Sequence, residues 1–96
     1  MAGYGSYLKK HTEALVKDVG IEAACEITGK SKATLGRYYS ADADHADRFM
    51  PIDVVAQLEA SSRFPHVTAA LADLRTLEQS AGDSGAQRLL LLARGM

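Results

Sequence analysis

Apolar residues recur at helical spacing along most of the chain. Leu8, Leu15, Val16 and Val19 fall on one face with Thr12 between them, which predicts a helix over residues 6–19. Gly20 is a suitable stop, because glycine accepts the left-handed conformation. Ile21–Thr28 reads as a short second helix. Its small residues Ala23, Ala24 and Cys25 would let another helix approach closely. Gly29 breaks the pattern. Ser31 can act as an N-cap, its hydroxyl accepting from a backbone N–H in the next turn. A third helix follows to Tyr39, with Leu35 and Tyr38 spaced to face inward. Residues 40–48 are acidic, polar and aperiodic, and read as a loop. Pro51 suits the first turn of a fourth helix, whose apolar face is Ile52, Val54, Val55 and Leu58. Pro65 repeats the device before Val67, Ala70, Leu71, Leu74 and Leu77. Residues 80–85 predict a flexible break, and residues 86–94 a short apolar helix or tail. There is no period-two alternation and no internal repeat. The pattern predicts an all-α bundle of five to six helices.

Composition fits that architecture. The chain has 96 residues, 47% of them apolar, which suggests one domain with a modest core. Residues 1–62 would form the core, and residues 63–96 a helical extension that packs or self-associates. The single cysteine, Cys25, cannot form a disulfide within the chain. The first residues lack the apolar stretch of a signal peptide, and the apolar run of residues 89–93 is too short to span a bilayer. These features predict a soluble, cytoplasmic protein with no membrane partner.

Charge changes the picture locally. The net charge is −1, so a global positive field is absent. Yet every lysine lies before residue 33, and residues 29–40 hold Lys30, Lys32 and Arg37 with no acid. A nucleic-acid partner would place its phosphates there.

The stretch 21–39 has the proportions of a helix-turn-helix. Gly29 supplies the turn, Ala24 and Cys25 a small crossing point, and Leu35 and Tyr38 the inward anchors. Ser31, Lys32, Ala33, Thr34 and Arg37 form the opposite, polar face. The segment AACEITGKSKATLGRYYS resembles the helix-turn-helix of lambdoid phage regulators, both the Cro/repressor group and the phage lysogeny activator. That family has a small residue four places before the turn glycine and an apolar one six places after it. Cys25 and Leu35 stand there. The activator's pattern adds a lysine, an arginine and an aromatic three, eight and nine places after the glycine. Lys32, Arg37 and Tyr38 match. The segment RFMPIDVVAQLE also resembles the activator beyond its reading helix. Lys30 departs from the family's usual apolar residue, and Gly36 lies inside the reading helix. The resemblance spans residues 21–59, and nothing after Pro65 has a counterpart.

The resemblance implies a sequence-specific transcriptional regulator that reads the major groove of double-stranded DNA with residues 31–39. Lys32 and Arg37 would donate to guanine or phosphate, and Thr34 would bond a base or meet a thymine methyl. Ser31 and the helix start would hold a phosphate. Tyr38 is a further candidate. Lys30, Lys9 and Lys10 would contact the backbone, positioning without specifying. A homodimer with reading helices about 34 Å apart would read a palindrome and lie at the nucleoid. The C-terminal helix is the candidate dimerisation element.

Other chemistry has little support. There is no nucleophile–base pair, glycine-rich phosphate loop or metal-ligand spacing, so no enzyme, cofactor or small-molecule ligand is expected. Cys25 reads as a small buried hydrophobe. Asp42, Asp44, His45 and Asp47 read as a solvated acidic loop, and His11 and His66 have no recognisable partner. The alternative function is a protein-interaction adaptor or antitoxin-like module that uses the helical scaffold and the apolar tail.

Overall fold

The computed structural model describes residues 4–82, with side chains through residue 76. Within them lie five α-helices and no strand: α1 (Gly5–Val19), α2 (Ile21–Thr28), α3 (Lys32–Tyr39), α4 (Ile52–Glu59) and α5 (His66–Gly82). The five helices expected within these residues are present, α1 starting one residue earlier than its periodicity predicts.

α1 is the hub, packing against each of the other four helices. Leu15 and Val16 of α1, Ala24 of α2, Leu35 of α3 and Val54, Val55 and Leu58 of α4 form the core with Met50 and Val67. Leu15, Leu35 and Leu58 are fully buried. Burying a side chain of that size contributes about 2 kcal/mol. Ala24 occupies the closed crossing point of α2, whereas Cys25 is only half-buried against the core.

α1 and α2 meet at one residue. The Gly20 N–H donates to the Val16 carbonyl at 2.8 Å, closing α1. The Gly20 carbonyl accepts from the Ala24 N–H at 2.8 Å, opening α2. This joint needs φ 97° and ψ 134°, a positive φ as expected but with an extended ψ rather than a left-handed helical one. A side chain rarely adopts that conformation.

α4 and α5 depart from their patterns. Pro51 sits just ahead of α4 as its N-cap, and its carbonyl accepts from Val54 and Val55 N–H, both at 3.0 Å. Ile52 does not face the core as expected. It is 80% exposed, because its place in the first turn turns it away from Val54, Val55 and Leu58. On α5, Val67 and Ala70 are buried and Leu74 half-buried, but Leu71 is exposed. α5 also continues through residues 80–82, where a break was expected; the i−4 ladder simply carries on. The remainder of that expected break, the helix or tail at 86–94 and the Leu77 side chain lie outside the described residues.

Side chains from other helices clamp the start of α5. Glu59 of α4 accepts from Val67 N–H at 2.8 Å, Thr68 N–H at 2.9 Å and the Thr68 hydroxyl at 2.6 Å. Asp18 of α1 accepts from Arg63 N–H at 3.2 and 3.0 Å and lies 2.8 Å from His66 Nε2. The His66 and Arg63 bonds hold the Asp18 carboxyl below its ordinary pKa of 3.8. A lowered carboxyl pKa gives stability that is present above the ordinary value and lost as pH falls through the folded one. Asp18→Asn should therefore flatten the acid limb of stability below pH 3.8, measured as urea midpoints against pH. Gly20→Ala should cost about 1–3 kcal/mol in the same assay, through backbone strain alone, since an added Cβ would meet nothing within 4 Å.

Candidate nucleic-acid interface

α2 and α3 are joined by three residues, 29–31. Gly29 adopts the left-handed conformation, φ 72° and ψ 14°, and its N–H closes α2 on the Cys25 carbonyl at 2.8 Å. The Thr28 hydroxyl donates to the Ala24 carbonyl at 2.8 Å and accepts from Lys30 N–H at 3.2 Å. Ser31 then caps α3. Its Oγ accepts from Thr34 N–H at 3.1 Å and also bonds the Thr34 hydroxyl at 3.1 Å. The cap read from the sequence is thus present.

Leu35 anchors α3, fully buried, with Tyr38 and Tyr39 partly buried beside it. At 3.6 residues per turn the opposite side carries Ala33, Gly36 and Arg37. Ser31, Lys32, Ala33 and Arg37 are exposed, and Lys30 and Thr34 half-exposed. Ala33 and Arg37 centre this exposed surface, with Lys32 and Thr34 on its two flanks. No ion pair with a described residue engages Lys30, Lys32 or Arg37. Tyr38 stands apart from this surface, directed to the core.

Lys10 and Lys9 part company. Lys10 is exposed on α1 and borders a cleft of about 290 Å³ that also touches Lys9 and Tyr39. Lys9, expected to reach DNA phosphates, is 6% exposed and points inward. Its Nζ donates to the Tyr38 carbonyl at 3.1 Å and to the Arg48 carbonyl, and lies 3.5 Å from the Arg37 carbonyl. It also sits 4.6 Å from the centre of the Phe49 ring. Burial lowers the Lys9 pKa from 10.5, while the charge of Asp47 acts in the opposite direction. The helical spacing from Lys9 to the buried Thr12 and Val16 was the signal for this inward position.

The segment after α3 is not a plain loop. Asp42 accepts from Asp44 N–H at 3.1 Å and opens a 3-10 turn at Ala43–His45. Asp42, Asp44 and Asp47 are exposed. Among the described residues, no group of three or more His, Cys, Asp or Glu gathers as a metal site. Nor is any described helix long and apolar enough to cross a membrane.

An apolar groove of about 410 Å³ lies between α1, α4 and α5. Leu8, Met50, Val55 and Val67 line it, with the exposed Phe49, Ile52 and Leu71. None of its lining residues belongs to α2 or α3. It escaped the sequence pattern because its apolar residues come from three helices and a loop, each of which reads as an ordinary core face.

No protein-family model matches the chain, and no curated protein or solved structure matches it.

Gly36 weakens α3 without serving a contact, since a Cβ there would meet nothing within 4 Å. Gly36→Ala should raise stability by about 0.5–1 kcal/mol, read as a higher thermal midpoint.

Proposed function

We propose that this protein is a sequence-specific DNA-binding regulator that inserts α3 into the major groove, with α2, the Gly29 turn and α3 acting as a helix-turn-helix. One observation carries the reading. A short, capped helix, anchored on one side by Leu35, presents Lys32, Ala33 and Arg37 outward with no acid between residues 29 and 40. An α-helix with its side chains is about 10–12 Å across, which fits a major groove about 12 Å wide. Arg37 and Lys32 donate to guanine O6 and N7 or to phosphate. Thr34, its hydroxyl already bonded to Ser31, offers its methyl to thymine. Lys30, Lys10 and the start of α3 hold the backbone. Two copies, with reading helices about 34 Å apart, read a two-fold site.

The acidic turn after α3 supports specific rather than indiscriminate binding. Asp42, Asp44 and Asp47 repel phosphates wherever the helix does not seat well. Binding-site selection from random duplex DNA, followed by mobility shifts at two salt concentrations, tests the reading. Arg37→Ala and Thr34→Ala should each reduce discrimination between the selected site and random DNA by about 1–3 kcal/mol, with the fold intact. Unchanged preference in both variants overturns it.

The apolar groove favours a second reading, a protein-interaction module. Phe49, Ile52 and Leu71 give that face an apolar rim unusual on a small chain. Binding there would be insensitive to salt and would survive Arg37→Ala, whereas DNA affinity falls steeply with salt.

A further inference from the structure

We infer that Lys9 is a positioning residue for α3: its ammonium clamps the last turn of that helix and so sets the direction in which Arg37 is presented. The inference rests on the DNA-binding reading. α3 has eight residues with a glycine at position 36, and helices that short do not hold themselves. Its N-terminus is capped locally by Ser31. Its C-terminus has no such device. It ends on Ser40 in an extended conformation, φ −69° and ψ 139°, without the left-handed glycine that often ends a helix.

Lys9 fills that role from a distance. The Tyr38 and Arg37 carbonyls belong to the last turn, where a helix leaves acceptors unpaired and where its dipole favours a cation. The Lys9 ammonium lies 3.1 and 3.5 Å from them. The same ammonium takes the Arg48 carbonyl, beyond the acidic turn. Its third influence is the Phe49 ring, whose face attracts a cation. One charge on α1 therefore ties together the end of the reading helix and the segment that leads into α4. The carbonyl it approaches at 3.5 Å is that of Arg37 itself.

A positioning lysine and a phosphate-binding lysine differ in what their loss changes. Removing a phosphate contact lowers the slope of log affinity against log salt by about one and weakens all sequences alike. Removing a clamp leaves the slope unchanged and erodes the preference for the right sequence.

The test uses the full chain, ¹⁵N-labelled, as wild type, Lys9→Met, Lys9→Arg and Lys10→Met, with Lys9→Gln as the milder change if Lys9→Met does not fold. Amide exchange and DNA binding to the selected site and to random duplex are measured on each. Lys9→Met, or Lys9→Gln in its place, should exchange the Tyr38 and Tyr39 amides at least tenfold faster relative to those of α2. It should also lose at least tenfold in the ratio of specific to random binding at an unchanged salt slope. Lys9→Arg, which keeps the charge and donors, should recover part of both. Lys10→Met should lower the slope and spare the ratio. Unchanged exchange in α3, or a slope lowered by about one with the ratio intact, overturns the inference. A wild-type chain with no sequence preference overturns the DNA-binding reading and with it this role of Lys9, while the exchange data still decide whether the clamp exists.

Discussion

The arrangement of this small protein depends on burying one positive charge. Lys9 stands on α1, the helix that every other described helix touches, and its ammonium is largely buried against the carbonyls of Tyr38 and Arg48. Withdrawing a charge is costly unless its donors are satisfied. Here they are, by the Tyr38 carbonyl, which would be short of partners at the end of α3, and by the Arg48 carbonyl in the segment before α4. Each side of the contact resolves the other's deficit, and the contact forms only when α1, the end of α3 and the segment before α4 have come together. The contact thus specifies one arrangement among the many in which apolar faces could stack.

The same logic recurs at α5. Its first turn carries neither serine nor aspartate as a cap. Glu59 reaches its backbone N–H groups from α4, and Asp18 reaches the His66 side chain from α1. Polar side chains from one helix finish the ends of another, and the apolar core is left to supply the bulk of the stability. Among the described residues the core is small, with three leucines fully buried, so satisfied polar ends matter more than they would in a larger core.

Much of this was legible in the sequence. The bounds of α2, the Gly29 turn, the Ser31 cap and the burial of Leu35 are local properties, set by residues within one or two turns of each other. Contacts across the chain were not. Lys9 and Arg48 are separated by 39 positions, and Asp18 and His66 by 48. A lysine beside a second lysine reads as a solvent-facing pair, and only the register with Thr12 and Val16 points the first of them inward. Ile52 misled in the opposite way, since an apolar residue in a first turn can face away from the core. Of the surface around α3, the sequence indicated Lys30, Ser31, Lys32, Ala33, Thr34 and Arg37; it misplaced Lys9, and of its two readings of Tyr38, inward anchor and DNA contact, the packing agrees with the first.

The joint at Gly20 has a consequence for how such a chain would meet a curved or irregular partner. One residue separates α1 from α2, and its two amide bonds belong to both helices. The joint between the pair is as short as a connection can be. α3 follows after a turn fixed by a left-handed glycine and a capped serine, and is held at its far end by a side chain from α1. Three helices are therefore tied to one another at Gly20, at the Gly29 turn and at the end of α3. On the proposed reading, any misfit at an operator must be absorbed by the DNA, through bending or a change in groove width. Base pairs the protein never touches would then influence affinity through their stiffness.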